Sequence, residues 1–155
     1  MKTNEKEFLL DIARLAANRS HAVRLKVGAV VSDTSGNIIA AGFNGTIKGF
    51  HTNSCEVKNY QSDSPTHIDK DGIGYALVTD EATTIHAEQN LISHAARRGI
   101  SINGGIVFST HSPCAKCCSL LIQCGISEMI FLEEHRSFDA VQSLYGSYIK
   151  LIKWN

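Results

Sequence analysis

The segment Gly104–Leu132 reads GGIVFSTHSPCAKCCSLLIQCGISEMIFL, and it indicates the fold class of the chain. Its first and last parts, GGIVFST and SEMIFL, are short apolar runs typical of buried strands. The part between them predicts a helix that Pro113 opens and Gly125 closes. A strand, a helix and a strand in close succession predict two parallel strands with the helix covering the sheet.

The rest of the chain extends this pattern in both directions. KVGAVVSD and NIIAAGF, joined by the turn DTSGN, predict a hairpin. Another helix is predicted in TTIHAEQNLISHAARRG, with Thr83 or Thr84 as its cap, and a helix and a strand follow at SFDAVQSLYG and SYIKLIKW. We therefore predict an α/β fold.

The first helix is predicted from an apolar stripe near the N-terminus. Five residues fall on one helical face, and these are Phe8, Leu9, Ile12, Leu15 and Ala16. In contrast, residues 44–82 are polar and show little periodicity, so we predict a long irregular insert there. No repeat or linker divides the 155 residues, which predicts a single domain over residues 1–155.

The composition excludes several classes of protein. Fifteen basic residues balance fifteen acidic ones, so no overall charge favours a nucleic acid or an anionic membrane as a partner. The first twenty residues include Glu and Asp among the apolar ones, unlike a secretory signal, and no stretch is apolar enough to span a membrane. The five cysteines are therefore expected to be reduced thiols in a cytoplasmic protein.

Two short motifs carry candidate metal chemistry. His86 and Glu88 lie in HAE, and Cys114 and Cys117 lie in PCAKC, each at the predicted start of a helix. Imidazole and thiolate are ligands that zinc prefers, and three protein ligands leave a fourth position for water. Glu88 need not bind the metal and could move protons to and from that water.

Either motif alone has other interpretations. A lone C-x-x-C is also typical of a redox pair, and a structural zinc site would need a fourth ligand, for which only His111 is near in sequence. Helical spacing leaves both Cys117 and Cys118 as partners of Cys114, because both face roughly the same side. The two motifs together, H-x-E followed by P-C-x-x-C, match the signature of the zinc nucleobase and nucleotide deaminases.

Within those deaminases, the chain resembles the deoxycytidylate deaminase family over nearly its whole length. The resemblance is carried by RLKVGAVV, AAGFNGTIKGF, TTIHAEQNLI and STHSPCAKCCSLLIQCGISEMIF. It implies a cytidine-deaminase-like three-layer α/β/α fold, in which helices cover both faces of a mixed five-stranded sheet with an antiparallel N-terminal hairpin and then parallel strands. It also implies conversion of dCMP to dUMP, which supplies the precursor of thymidylate, by a homo-oligomer that is usually a hexamer.

The resemblance also implies the roles of individual residues. One catalytic zinc ion would be held by His86, Cys114 and Cys117, with Cys118 a buried bystander. Glu88 would carry protons from the attacking water to ring nitrogen 3 and to the departing amino group. The residues implied in substrate binding are Asn44 at the sugar, Arg24 at the 5′-phosphate, and Ala87, Ser112 and Arg136. Arg24 could instead be an ordinary surface arginine. Arg136, together with His135, lies where the family usually has an aromatic residue.

Two further expectations concern regulation and a second metal. Arg97 aligns with the position through which regulated relatives respond to dCTP, the activator, and dTTP, the inhibitor, although ARRG is also simply favourable at a helix C-terminus. His51, Cys55 and His67 follow no zinc spacing, so we expect one zinc ion.

The alternatives to a dCMP deaminase are a cytosine or cytidine deaminase, a tRNA adenosine deaminase, a non-catalytic zinc module and a C-x-x-C redox protein. The chain's pI near 7.0 disfavours the tRNA enzyme.

Overall fold

The computed structural model describes residues 1–155 and contains four helices and ten strands. The helices are α1 Thr3–Ala17, α2 Ala87–Arg97, α3 Ala115–Gln123 and α4 Phe138–Tyr145. The strands are β1 Gly28–Ser32, β2 Ile38–Phe43, β3 Gly45–Thr46, β4 Glu56–Asn59, β5 His67–Ile68, β6 Gly74–Thr79, β7 Thr84–Ile85, β8 Ile106–His111, β9 Glu128–Glu133 and β10 Lys150–Lys153. None of the helices is both long and apolar enough to cross a membrane.

The main sheet has five strands in the order β10-β9-β8-β1-β2. β1 runs antiparallel to β2 and β8, whereas β8, β9 and β10 run parallel to one another. The short turn after β1 allows only an antiparallel return, while α3 and α4 carry the chain back between parallel strands. The predicted mixed sheet, with its N-terminal hairpin and later parallel strands, is confirmed.

Helices cover both faces of this sheet. α1 packs on one face, where the buried residues are Leu9, Leu10, Ala13, Val30, Phe108 and Ile130. α2, α3 and α4 pack on the other face, where the buried residues include Val31, Leu91, Val107, Leu121, Met129 and Val141. Neighbouring residues of one strand point to opposite faces, so Val30 and Val31 contribute to different cores. The predicted three-layer α/β/α arrangement is therefore confirmed.

The predicted buried face of α1 was wrong at two of its five residues. Leu9 is buried as predicted, but Phe8 and Leu15 are 56% and 61% exposed, and Leu10 and Ala13 are buried instead. The helix backbone lies directly on β1, because a Cβ atom at Gly28 would collide with the carbonyl oxygen of Ala13. The close approach selects the face that carries small residues rather than the face with the largest apolar ones.

The insert at residues 44–82 is only partly irregular, because short strands interrupt its loops, which corrects the prediction in part. It contains a two-stranded pairing of β3 with β7 and a three-stranded antiparallel sheet in the order β4-β6-β5. β6 is half-buried at every position, so the alternation that identifies a strand is missing from its sequence. The assignment of residues 1–155 to one domain stays a prediction.

Candidate active site

The N-termini of two helices bring the candidate metal ligands to one point. His86 is the N-cap of α2 and Cys114 is the N-cap of α3, and both have extended backbone conformations, with φ of −70° and −74°. An N-cap residue lies outside the helical backbone, so its side chain can point past the helix end. Pro113 precedes the cap of α3 instead of opening its first turn, whereas Gly125 closes the helix with a φ of +77°, as predicted.

The predicted caps of α2 were wrong. Thr84 belongs to β7, where it pairs with Thr46, and Thr83 precedes that strand. The helix begins later, and the backbone N–H of His86 donates a hydrogen bond of 2.8 Å to Oε1 of Gln89. The helix starts after the threonines because β7 pairs with β3. Local capping patterns in the sequence do not reveal this tertiary contact.

Gly42 of β2 sets the position of α2. A Cβ atom at Gly42 would collide with the carbonyl oxygen of Ala87, in the first turn of α2. Nδ2 of Asn90 donates a hydrogen bond of 2.7 Å to the carbonyl oxygen of Phe43, next to this contact. The hairpin therefore holds the start of α2, and with it His86, at a fixed height above the sheet.

Gly42→Ala is expected to destabilise the protein by about 2 kcal/mol, because a methyl group there forces α2 away from the sheet. Urea or thermal unfolding measures the loss of stability. Gly45→Ala is the matched control, since a Cβ atom at Gly45 meets nothing within 4 Å. Equal stability of the two variants would contradict the close packing of α2 on β2.

The three predicted ligands lie together with a spacing that suits zinc. Nδ1 of His86 is 3.6 Å from Sγ of Cys114 and 3.5 Å from Sγ of Cys117. All three ligand atoms lie within 4.8 Å of one another. Tetrahedral zinc with bonds of about 2.3 Å to sulfur and about 2.05 Å to nitrogen separates those atoms by roughly 3.6 Å. The donor set and its spacing therefore fit a zinc ion with one open position.

The electrostatics of the two cysteines also favour a cation. A hydrogen bond from Cys117 is the main reason that the pKa of Cys114 falls to about 3. The same bond raises the pKa of Cys117, because the Cys117 thiol loses this hydrogen bond when it gives up its proton, and burial raises that pKa further. The pair therefore gives up one proton readily, and the second thiolate needs a positive charge such as a metal ion beside it.

Cys118 lies apart from this cluster. It is 0% exposed and packs in the core with Leu121 and Met129. Burial raises the pKa of its thiol to about 11, so the sulfur stays protonated. The structure thus brings Cys117, and not Cys118, to His86.

His51, Cys55 and His67 form no group of three metal-ligating side chains.

Glu88 is buried in the same site. It lies in the first turn of α2, is 4% exposed and lines the cavity next to His86 and Cys114. Burial raises the pKa of its carboxyl, because the low-dielectric surroundings disfavour the charged form. A carboxyl with a raised pKa takes up and releases protons nearer to neutral pH than an exposed one.

A cavity of about 420 Å³ opens in front of the cluster. All five residues that the sequence assigned to substrate binding line it, and these are Arg24, Asn44, Ala87, Ser112 and Arg136. Such a volume suits a small molecule the size of a nucleotide. The tertiary structure thus brings together residues that are up to 112 positions apart in the chain, from Arg24 to Arg136.

Asn44 is engaged in a loop contact as well as lining the cavity. Its Oδ1 accepts a hydrogen bond of 2.8 Å from the N–H of Val27, and its Nδ2 donates one of 2.8 Å to the carbonyl oxygen of Leu25. An amide nitrogen carries two hydrogens, so one N–H of Asn44 is left for a ligand. Asn44 therefore both shapes the loop before β1 and can contact a bound molecule.

The two arginines of the cavity are exposed cations. Nη1 of Arg24 donates a hydrogen bond of 3.3 Å to Oγ1 of Thr79, and the side chain of Arg136 is exposed on another loop. Ser112 stabilises that loop, because its Oγ accepts a hydrogen bond of 2.8 Å from the N–H of His135. The cavity can therefore offer two guanidinium groups to an anionic ligand.

Arg97 lies outside the cavity. With His94, Arg98, Ala40 and Ala41 it lines a separate depression of about 370 Å³. Nδ1 of His94 lies 2.8 Å from the carbonyl oxygen of Ala41, which fixes the imidazole ring there. Arg97 is thus not a part of the metal site, and its assignment to an effector position stays a prediction.

Several cavity residues were not assigned to the site from the sequence, among them Glu81, His111 and Glu56. Glu81 places Oε2 3.7 Å from Nε2 of His86, His111 is half-buried beside Ser112, and Glu56 is buried in the cavity wall. Glu56 and Glu81 belong to the polar insert, where no spacing or periodicity distinguishes one acidic residue from another. Their proximity to the site follows from the β3–β7 and β4–β6 pairings.

Comparisons with known proteins agree with this site. The family model for the cytidine and deoxycytidylate deaminase zinc-binding region matches residues 3–133. Deoxycytidylate deaminase of Enterobacteria phage T4 is 31% identical over an aligned length of 150, and the match covers 82% of this chain and 77% of that protein. ComE operon protein 2 of Bacillus subtilis is 30% identical over 141 residues, and the match spans 90% of this chain but 65% of that protein.

A solved structure agrees over almost the whole chain. The crystal structure of dCMP deaminase from the cyanophage S-TIM5, in complex with dCMP and dUMP, has a TM-score of 0.80 and 34% sequence identity, covering 99% of each chain. The zinc-binding family model includes His86, Glu88, Cys114 and Cys117 within its matched range. The chain therefore belongs to the cytidine and deoxycytidylate deaminase family.

Proposed function

We propose that this protein catalyses the hydrolytic deamination of dCMP to dUMP. The observation that carries the proposal is the joining, in one cavity, of a His–Cys–Cys cluster, a buried carboxyl and two arginines. The cluster and the carboxyl suit hydrolysis of an amino group, and the arginines suit a phosphate. The likeness to a deaminase structure that holds dCMP and dUMP supports the choice of substrate.

Nδ1 of His86 and the Sγ atoms of Cys114 and Cys117 would hold the zinc ion. Zinc bound there would supply the Lewis acidity that makes water a nucleophile near neutral pH. The fit of the donor spacing to tetrahedral zinc supports this assignment.

Glu88 would move the protons of the reaction. Its carboxylate takes a proton from the attacking water and delivers it to ring nitrogen 3 of cytosine, while the water oxygen bonds to ring carbon 4. The carboxylate then takes the proton of the hydroxyl group formed on ring carbon 4 and passes it to the amino nitrogen, the carbon–nitrogen bond breaks, and ammonia leaves with dUMP as the other product. The raised pKa of Glu88 supports this role, because the group must alternate between both protonation states.

The remaining cavity residues would hold the nucleotide. Arg24 and Arg136 would bind the 5′-phosphate with their guanidinium groups, and the free N–H of Asn44 would contact the sugar. Ala87 and Ser112, next to His86 and Cys114, line the part of the cavity where the base would lie.

The substrate is tested by measuring ammonia release by purified, zinc-quantified protein from dCMP, dCTP, deoxycytidine, cytidine and adenosine. We expect kcat/KM for dCMP to exceed that for deoxycytidine by roughly 10²-fold, since two charge-assisted hydrogen bonds to phosphate are lost. A better turnover of cytidine or adenosine would indicate another deaminase of the same fold. Zinc binding without any turnover would indicate a non-catalytic zinc module, and a titratable disulfide without zinc a redox protein.

Regulation and assembly belong to the same proposal. Arg97, exposed beside Arg98 and His94, would respond to dCTP as an activator and dTTP as an inhibitor, in a cytoplasmic homo-oligomer, expected to be a hexamer. The dCMP assay is repeated with each nucleotide, and sedimentation measures the subunit number. The effector role is contradicted if neither nucleotide changes the dCMP turnover of the wild-type protein. It is also contradicted if Arg97→Ala still responds to them.

A further inference from the structure

Thr79, the last residue of β6, connects the insert to the side chain of Arg24. Nη1 of Arg24 donates a hydrogen bond of 3.3 Å to Oγ1 of Thr79, and both residues line the cavity. Thr79 is half-buried, whereas Arg24 is exposed and takes part in none of the ion pairs of the chain. The hydroxyl group of Thr79 is therefore the contact that restrains the guanidinium group of Arg24.

The backbone of Arg24 is held by the residue opposite Thr79. Oε1 of Glu56 accepts hydrogen bonds of 3.0 Å from the N–H groups of Val23 and Arg24. Glu56 of β4 and Thr79 of β6 are directly paired in the antiparallel register, so their side chains lie on the same face of the insert sheet. One cross-strand pair thus holds Arg24 both at its backbone and at its guanidinium group.

The same sheet is tied to the segment that carries the first metal ligand. The carbonyl oxygen of Cys55 accepts a hydrogen bond of 2.9 Å from the N–H of Asp80 and one of 3.1 Å from Oγ1 of Thr84. Thr84 lies in β7, two residues before His86. A continuous set of hydrogen bonds therefore relates the position of Arg24 to that of His86.

The bond to Thr79 leaves most of the guanidinium group of Arg24 available. A guanidinium group has five N–H donors, so four remain for an oxyanion when one is used by a neighbour. A free arginine side chain loses rotamer freedom when it binds a ligand, which weakens binding by about tenfold. A restraint that is already present in the unliganded protein removes part of this loss.

We propose that Thr79 is a positioning residue that holds the guanidinium group of Arg24 where it meets the 5′-phosphate of the substrate. This inference rests on the proposed function. Thr79 acts through Arg24 and not by contact with the phosphate, so its effect is confined to substrates that carry a phosphate group. The insert sheet thereby contributes to the choice of a nucleotide over a nucleoside.

Thr79→Val tests this role, because valine keeps the shape and the strand preference of threonine but lacks the acceptor. We expect kcat/KM for dCMP to fall about fivefold through a higher KM, with kcat within about twofold. Deoxycytidine turnover should change by less than about twofold, so the preference for dCMP falls from about 10²-fold to about 20-fold. Thr79→Ser keeps the hydroxyl group and should restore the preference.

Thr66→Val is the matched control. Thr66 precedes β5 of the same sheet, is exposed and does not line the cavity, and its Oγ1 lies 2.8 Å from Nδ1 of His67. The variant removes a threonine hydroxyl group from the insert without affecting Arg24. It should leave the preference for dCMP over deoxycytidine unchanged.

A double-mutant cycle shows whether Thr79 acts through Arg24. Arg24→Ala should lower the preference for dCMP by itself, and adding Thr79→Val to it should lower the preference no further, because the restrained group is already absent. The effects of two independent contacts would instead multiply.

Three outcomes overturn the inference while leaving the proposed function intact. The first is an unchanged preference in Thr79→Val. The second is an equal loss for dCMP and deoxycytidine in that variant, which would mean that Thr79 only stabilises the sheet. The third is a further loss of preference when Thr79→Val is added to Arg24→Ala. Absence of dCMP turnover in the wild-type protein would overturn the proposed function and this inference with it.

Discussion

Glu88→Gln is expected to lower kcat for dCMP by about 10³-fold or more while the protein keeps one zinc ion per chain. Glutamine has the same size and fits the same buried position, but its amide neither takes up nor releases a proton in the reaction. The three zinc ligands belong to other residues, so metal binding should survive. Steady-state turnover and metal analysis of the same preparation measure the two effects separately.

The control for this prediction is Glu134→Gln, which removes an exposed carboxylate from the same cavity. We expect its kcat to stay within about threefold of the starting value, because an exposed ion pair contributes little. Full deamination by Glu88→Gln would contradict the proton-transfer role. Loss of zinc from Glu88→Gln would instead indicate that Glu88 supports the metal site.

Cys117→Ala and Cys118→Ala are expected to differ sharply in zinc binding. Removing Sγ of Cys117 leaves two protein ligands, His86 and Cys114. Structural sites with four ligands bind zinc with a free energy of about 10–16 kcal/mol. Divided among four ligands, this means that the loss of one ligand weakens zinc affinity by roughly 10²–10³-fold. Cys117→Ala should therefore lose stoichiometric zinc and its activity. Competition with a chromophoric chelator measures the affinity.

Cys118→Ala should keep full zinc occupancy and turnover. Its sulfur is buried in the core, so the variant is expected to lose about 1–2 kcal/mol of stability through the small cavity that forms. Zinc loss in Cys118→Ala, or zinc retention in Cys117→Ala, would contradict the ligand set. The pair is a matched comparison, because both thiols are buried on the same helix one residue apart.

Local patterns were sufficient for the sheet and its helices. The turn between β1 and β2 predicted a hairpin, and the strand–helix–strand succession at residues 104–132 predicted the parallel strands. These features depend on residues that are close along the chain, so the spacing of the apolar residues in the sequence is enough to predict them. The same patterns did not predict which face of α1 is buried, because Gly28 and Ala13 determine that by close contact between distant segments.

The insert shows where local patterns carry little information. Its strands are short and half-buried, so no alternation of apolar and polar residues marks them. Glu56 lies at the cavity because β4 pairs with β6 and because its carboxylate binds the backbone before β1. Neither contact has a signature in the residues around Glu56.

The order H-x-E and then P-C-x-x-C was enough to predict a zinc deaminase and its proton carrier, since the chemistry needs those residue types in that arrangement. Helical spacing alone left both Cys117 and Cys118 as candidates, the family resemblance favoured Cys117, and only the tertiary structure gives the physical reason. Both lie on nearly the same side of α3, and the packing of that helix against the sheet turns Cys117 towards His86 and Cys118 into the core. Helical spacing defines the direction of a side chain only relative to its own helix, whereas the rotation of the helix is set by everything that packs against it.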